Sequence, residues 1–372
     1  MVTLAEIFRH YGAAYRAKFG SRLLPSQLAA MKAIEQCRTP ALGGHLYRCS
    51  ACDESRYSYH SCQNRHCPRC QQHATAQWLA QQQALLLPVP YFMLTFTLPD
   101  ALREVARRHQ KLLYRLLFQA SAAATQQLAQ DPRFVGGEIG MVGVLQTWTR
   151  DLFYHPHVHY LVPGGGLSAD GQSWHCARHN FLVPVKALSR LFRAKLRDSL
   201  RKTHLYVDIP SEVWEQAWVV HCQPVGDGQA AFTYLAPYIF RVAISNKRIL
   251  KVENDQVTFV YKDGDKGKRK TATLGVTEFI RRFLQHVLPK GFCKVRYYGF
   301  FSPARRQRLH QVRHLLGAVT TTSTTETRAT DAVHATTRVL TCPTCGKSML
   351  WIATLAPTSR SPPLPSALKI AL

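Results

Sequence analysis

The chain has 372 residues, 46% of them hydrophobic and 10% aromatic, enough apolar material for more than one packed core, and this excludes a wholly disordered protein. Lys and Arg number 48 against 22 Asp and Glu, a net charge of +26 with histidines neutral, and a field of that sign and size attracts polyanions such as nucleic acid. Residues 84–99, the most apolar stretch, are too few to span a bilayer and are interrupted by Pro88 and Pro90. The N-terminus mixes Glu6, Arg9, Arg16 and Lys18 into its apolar residues, so neither a membrane span nor a secretory signal is expected. Eleven cysteines then read as metal ligands in a reducing compartment, the cytoplasm, rather than as disulfides.

Taken in order, Leu4, Ile7, Phe8, Tyr11 and Tyr15 recur at helical spacing, and a second helix is predicted over 26–36, after Pro25. Six cysteines follow between Cys37 and Cys70, and the Gln-rich segment 71–87 reads as a linking helix. From Tyr91 the pattern is mixed: strands over 91–97, 139–148 and 158–162, one or two helices over 101–130, and helices over 185–202 and 276–288. A strand pair is predicted at 249–252 and 257–261. Residues 320–337 are Thr-rich and form a linker, and the tail beyond Leu350 does not read as a folded domain. The expected units are therefore 1–88, 89–318, a linker at 319–340, and a knuckle with a disordered tail at 341–372.

Cys49-Ser-Ala-Cys52 and Cys67-Pro-Arg-Cys70 are two Cys-x-x-Cys turns with fourteen residues between them. Each turn sets two thiolates on one side of a tight loop, and two turns supply four soft ligands for tetrahedral zinc. The polar surroundings of these cysteines (Asp53, Glu54, Arg56, Asn64) argue against a simple buried core. Cys62 and His66, with Cys37 and His45 upstream, are the candidates for completing a second site. Arg65 and Arg69 place cations on the knuckle, where they are expected to grip phosphates. Cys342-Pro-Thr-Cys345 is half a zinc site without an obvious second pair.

The sharpest motif is Tyr154-His155-Pro156-His157-Val158-His159-Tyr160-Leu161-Val162-Pro163-Gly164-Gly165-Gly166. In an extended chain His157 and His159 point to one face of the sheet while Val158 points to the other. Two imidazoles on one strand seat a divalent metal, and Gln146, on the preceding strand, offers a carbonyl oxygen beside them. Two nitrogens and an amide oxygen suit Mg²⁺ or Mn²⁺ shared with substrate phosphates. Downstream, Tyr234 and Tyr238 are four apart in Thr233-Tyr234-Leu235-Ala236-Pro237-Tyr238, and a phenol can form a phosphoester with nucleic acid. Pro237 removes a helix hydrogen bond and unsettles their common geometry.

The order zinc cluster, His-Pro-His-Val-His, then Tyr-x-x-x-Tyr followed by Arg241-Val-Ala-Ile-Ser-Asn246, resembles the rolling-circle insertion-sequence transposases of the IS91 group, which are HUH endonucleases of the two-tyrosine type. The resemblance covers about residues 1–315. It implies an α+β fold in which a helical, zinc-ribbon-like N-terminal domain precedes a nuclease domain with a central antiparallel sheet flanked by helices. It also implies that His157 and His159 hold the catalytic metal and that Tyr234 and Tyr238 are the nucleophiles, whereas Gln146 as third ligand rests on its place in the sequence.

The expected activity is nicking and rejoining of single-stranded DNA at transposon ends and target, through a 5′-phosphotyrosine. Its cofactors would be structural zinc and catalytic Mg²⁺ or Mn²⁺, and an oligomer is compatible with it. The DNA grip is expected from Arg65 and Arg69, from Arg241, Lys247 and Arg248, and from Lys268, Arg269 and Lys270, with Arg305, Arg306 and Arg308 adding to the basic surface. No phosphate-binding loop of the Gly-x-x-x-x-Gly-Lys-Ser/Thr type occurs, so no nucleotide cofactor is expected. An HUH replication initiator or relaxase would share the nuclease chemistry but act at an origin. A non-catalytic zinc regulator would bind DNA and never nick it.

Overall fold

The computed structural model describes residues 2–70, 86–230, 243–262, 268–318 and 340–358. The expected helix at 71–87 lies almost wholly outside them, and the Thr-rich linker, Tyr234, Tyr238 and Arg241 lie outside them entirely.

Helix α1 (Leu4–Phe19) starts at Thr3, whose hydroxyl accepts from the Glu6 N–H at 3.3 Å while the Glu6 carboxylate accepts from the Thr3 N–H at 2.8 Å. This reciprocal cap satisfies two donors that a helix start leaves orphaned. Helix α2 (Pro25–Gln36) opens on Pro25, where a missing N–H costs nothing. Strands β1 (Gly44–Cys49) and β2 (Ser55–Tyr59) then pair as a hairpin.

The central sheet begins with β3 (Tyr91–Thr97). Helices α3 (Arg103–Arg108) and α4 (Gln110–Ala129) lead to β4 (Met141–Trp148) and β5 (Tyr154–Pro163). A small hairpin, β6 (Gly165–Leu167) and β7 (Trp174–Cys176), precedes α5 (Val185–Arg201) and β8 (Val220–Pro224). A second sheet is built from β9 (Ile249–Glu253), β10 (Gln256–Lys262) and β11 (Arg269–Gly275), followed by α6 (Val276–Gln285). β12 (Val295–Tyr298), α7 (Arg306–Leu315) and β13 (Met349–Leu355) are the last of the described elements.

The central sheet runs β12-β4-β5-β3-β8 with every neighbouring pair antiparallel. The period of two sorts its side chains. Phe92, Leu94, Phe96, Val158 and Tyr160 face α4 and α5 in the largest core, where Phe96 meets Tyr160 and Phe192 edge-on at 5.8 and 5.0 Å. On the other face Tyr91, Met93, Val142, Val144 and Leu161 pack with Phe300, Leu309 and Val312. Gly143, opposite Tyr160 in the ladder, allows that ring its place: a Cβ there would sit 2.5 Å from it.

The N-terminal helices share their core with residues 243–287 rather than with the cysteine turns alone. Leu4, Phe8, Met31 and Ile34 join Phe259, Phe279 and Phe283, with Phe8 edge-on to Phe283 at 5.5 Å. Asn246 accepts from the Leu4 N–H at 3.1 Å, and Gln27 donates to the Leu284 carbonyl at 2.9 Å.

The architecture is α+β, as the sequence predicts. Strands β1, β2, β6, β7, β8 and β12 and helix α7 go beyond the predicted elements, and β5 begins at Tyr154 rather than at residue 158. Residues 269–275 form a third strand beyond the predicted pair. The described part of the tail carries a strand: β13 pairs with β1 from Gly44–Leu355 through Cys49–Met349 and makes a three-stranded ribbon in the order β13-β1-β2. Its alternation is masked in the sequence because Leu350, Trp351 and Ile352 are all exposed apolar residues.

Candidate functional site

In the β4–β5 ladder Gln146 stands opposite His157, and Val144 opposite His159. The register breaks between Gln146 and Trp148, so the strand carrying Pro156 bulges beside the histidines. Pro156 has no N–H to give to a central ladder, and a bulge is where such a residue is tolerated. On the other side of β5, Thr97 and Thr95 face His157 and His159, and His221 of β8 continues the second row.

The His157 and His159 rings lie 4.8 Å apart at 84°. His157 Nδ1 donates to the His155 carbonyl at 2.6 Å, which leaves Nε2 as the lone-pair nitrogen. His159 Nδ1 pairs with Thr95 Oγ1 at 2.9 Å. Burial, reinforced by the neighbouring His159, keeps the His157 pKa well below the usual imidazole range, and burial pushes His159 down to about 4. Both rings are neutral at physiological pH, the form that ligates a metal. Gln146 donates its Nε2 to the Trp148 carbonyl at 3.0 Å, and its Oε1 is buried without a hydrogen-bond partner among the described residues. Such an oxygen is costly unless something fills its place. The three groups predicted from sequence are thus brought to one face, and two neutral nitrogens with an orphaned amide oxygen fit a hard divalent cation.

His155, Thr95 and Arg103 join the site beyond the residues that the sequence motifs mark. His155 shares the face, with its ring 5.3 Å from that of His157, but its Nδ1 accepts from Arg103 at 2.6 Å. Burial and that guanidinium lower its pKa. The spacing His155-Pro-His157 hints at this third imidazole; nothing local points to Thr95.

The cysteines divide differently from the expectation. Cys49 and Cys52 do not share a site with Cys67 and Cys70: Cys37, Cys62, Cys67 and Cys70 bring their Sγ atoms within 4.8 Å of one another, and Cys49, Cys52, Cys342 and Cys345 form a second such group. In the first group, hydrogen bonds from Cys62 and Cys67 hold the Cys37 thiol far below its ordinary range, while the same contacts raise Cys62 and Cys67. Four soft sulfurs at this separation suit tetrahedral zinc.

His66 and His45 belong to neither group. His66 accepts from the Leu288 N–H at 3.3 Å, and burial pushes it down to about 3, so it is a neutral packing residue. His45 meets His60 edge-on at 4.9 Å.

Several expected phosphate contacts are already engaged. Arg65 donates to the Phe292 and Pro289 carbonyls at 2.6 and 2.7 Å, tying the cysteine loop to residues 289–292. Arg248 donates to Val260, Ala243 and Arg150 carbonyls and lies over the Phe259 ring. Arg305 and Arg308 both pair with Glu138. Arg69, Lys247, Lys268, Arg269, Lys270 and Arg306 are exposed.

Comparison with known proteins agrees with this arrangement. The family described as "Transposase zinc-binding domain" matches residues 7–98, and the Y2 transposase family, described as "Putative transposase", matches residues 140–308. The chain is 44% identical over 335 residues to "Putative transposase y4qJ" of Sinorhizobium fredii (strain NBRC 101917 / NGR234), covering 84% of each chain. It is 30% identical over 287 residues to "Transposase for insertion sequence element IS801" of Pseudomonas savastanoi pv. phaseolicola, covering 72% of this chain and 68% of that one. No solved structure matches it.

A zinc-binding transposase domain at the N-terminus followed by a Y2 transposase domain places the chain among the transposases. The chain belongs to the IS91-type transposase family, and DNA is its partner. Among the described residues no helix is long and apolar enough to cross a membrane.

Proposed function

We propose that this transposase nicks and rejoins single-stranded DNA at the ends of its element through a 5′-phosphotyrosine intermediate, as rolling-circle transposition requires. The observation that carries the reading is the juxtaposition of His157, His159 and the orphaned Gln146 oxygen on one sheet face. These three groups would hold Mg²⁺ or Mn²⁺, which when bound would supply charge neutralisation at the scissile phosphate.

The chain's own residues do the rest. His155 and Thr95 fix the two imidazoles, and the Trp148 carbonyl fixes the amide. Exposed Lys268, Arg269 and Lys270 hold the DNA backbone. The phenol oxygen of Tyr234 or Tyr238 bonds to phosphorus as the P–O3′ bond breaks, losing its proton to solvent, and the departing 3′-oxygen takes up a proton to become a hydroxyl. Attack of a 3′-hydroxyl on the phosphotyrosine reverses the exchange and releases the phenol. One phosphoester replaces another at each step, so no nucleotide hydrolysis is needed.

The test is incubation of the protein with single-stranded oligonucleotides covering the element's ends, with Mn²⁺ or Mg²⁺ added. A covalent adduct on a denaturing gel is expected, absent when EDTA is present. Binding without any adduct under all cation conditions would replace the reading with that of a non-catalytic DNA-binding protein.

A further inference from the structure

Cys342 and Cys345 lie outside both matched regions, which end at residues 98 and 308. Their turn is nonetheless a structural copy of the turn at Cys49 and Cys52. In each, the residue after the second cysteine takes a positive φ, 62° at Asp53 and 72° at Gly346. In each, that residue's N–H donates to the carbonyl of the first cysteine, at 3.1 and 2.9 Å. In each, the first cysteine's own N–H donates to the carbonyl five residues on, Glu54 at 2.9 Å and Lys347 at 2.7 Å. The two turns face one another with Cys49 Sγ 3.4 Å from Cys345 Sγ and Cys52 Sγ 3.4 Å from Cys342 Sγ.

These separations are too long for disulfides, whose sulfurs are about 2.0 Å apart. They are close to the edge of about 3.8 Å that a tetrahedron with zinc–sulfur bonds of about 2.3 Å would have. Packing alone does not account for the convergence. The buried apolar material here is Cys49, Cys342 and Met349, with Tyr47 and Leu340 against them, while Trp351, Leu350 and Tyr57 are turned to solvent. A three-stranded ribbon with so small a core needs another source of folding free energy.

We propose that Cys49, Cys52, Cys342 and Cys345 hold a structural zinc ion, distinct from one at Cys37, Cys62, Cys67 and Cys70, and that it fastens β13 to the N-terminal ribbon. On binding, the four thiols give their protons to solvent and the metal replaces them, with no redox change. The full chain therefore carries two zinc ions, and segments near its opposite ends share one module. The inference does not rest on the nuclease reading.

Native mass spectrometry of the full-length protein should find two zinc ions per chain. Cys342→Ser with Cys345→Ser should leave one. Amide hydrogen exchange should then speed up at residues 44–59 and 349–355 while the central sheet stays protected. A wild-type chain that holds one zinc, or a double variant that holds two, overturns the proposal. Should that variant fail to fold, alkylation of the wild-type protein decides the matter. Cys52 and Cys345 are exposed, as are Cys176 and Cys293, so access to solvent does not by itself separate the two pairs. With zinc bound, Cys52 and Cys345 should resist iodoacetamide while Cys176 and Cys293 react, and chelation should remove the difference. Equal reactivity of all four in the zinc-loaded protein refutes the site.

Discussion

Gln146 stands directly across the β4–β5 ladder from His157, with its Nε2 committed to the Trp148 carbonyl and its Oε1 buried and unpartnered among the described residues. The amide is held so that its oxygen, not its nitrogen, is available beside the imidazole. Gln146→Ala should raise the cation concentration that half-maximal nicking requires about 10- to 100-fold. Gln146→Glu, which adds a charge at the same reach, should lower that concentration. Loss of His157 or His159 to Ala should reduce nicking about 100-fold or more while single-strand affinity is kept. Cation titrations of adduct formation check all four, and an unchanged requirement in Gln146→Ala would remove this residue from the site.

The tyrosines should behave differently from the histidines. Tyr234→Phe and Tyr238→Phe each delete one oxygen and almost no volume, so binding should persist. One single variant should lose the first adduct, and the other should form it but fail to complete strand transfer. A double variant that still becomes linked to DNA would place the nucleophile elsewhere.

His286 provides a pH test independent of catalysis. It is buried between Thr147 Oγ1 and the Leu152 carbonyl, each at 3.3 Å, and stacks on Tyr154, and burial pushes it down to about 4 from 6.5. Between those values the unfolded chain binds a proton that the folded chain refuses. Its contribution is therefore intact above about pH 6.5 and erodes as pH falls toward 4, by about 1.4 kcal/mol per pH unit. His286→Gln should flatten the fall of Tm between pH 7 and 5 relative to wild type. Parallel curves would mean that His286 titrates normally in the folded protein.

The basic residues should separate into two kinds. Replacing Lys268, Arg269 and Lys270 together with Ala should lower single-strand affinity and reduce the slope of log K against log salt by about 2, at about 0.7 per contacted phosphate. Arg65→Ala should leave that slope alone and instead cost about 1–2 kcal/mol of stability, because the Phe292 and Pro289 carbonyls lose their donors. Fluorescence anisotropy across a salt series, beside thermal melts, distinguishes the two. An Arg65→Ala variant that changes only the slope would return Arg65 to the DNA surface.

Much of this was legible in the sequence where the signal is local. The alternation of residues 91–97 marks β3, and His157 and His159, two apart on one strand, fall on one face because the period of a strand is two. Gln146 could be placed beside them because its strand precedes theirs directly. The cysteine pairing was not legible in the same way. Cys49 with Cys52 and Cys67 with Cys70 are near neighbours in sequence, yet each turn finds its partners elsewhere: the first at Cys342 and Cys345, the second at the isolated Cys37 and Cys62. Spacing along a chain reports turns, whereas the meeting of two turns depends on the path between them. Arg65 misled for a related reason, since a cation beside a cysteine turn looks the same whether it faces phosphate or a carbonyl of residue 289.

The ribbon also sets an order on the birth of the molecule. Strand β1 has β2 beside it soon after synthesis, but its other edge pairs with β13, and Cys342 follows Cys52 by 290 residues. At about 5–20 residues per second, ribosomes need roughly 15–60 s to cover that distance. The central sheet, whose last strand ends at Tyr298, is complete before the ribbon can be. A polypeptide released early would carry His157 and His159 with an open edge on β1, a template for unwanted strand pairing. Completion of the amino-terminal ribbon thus reports that translation has passed residue 355.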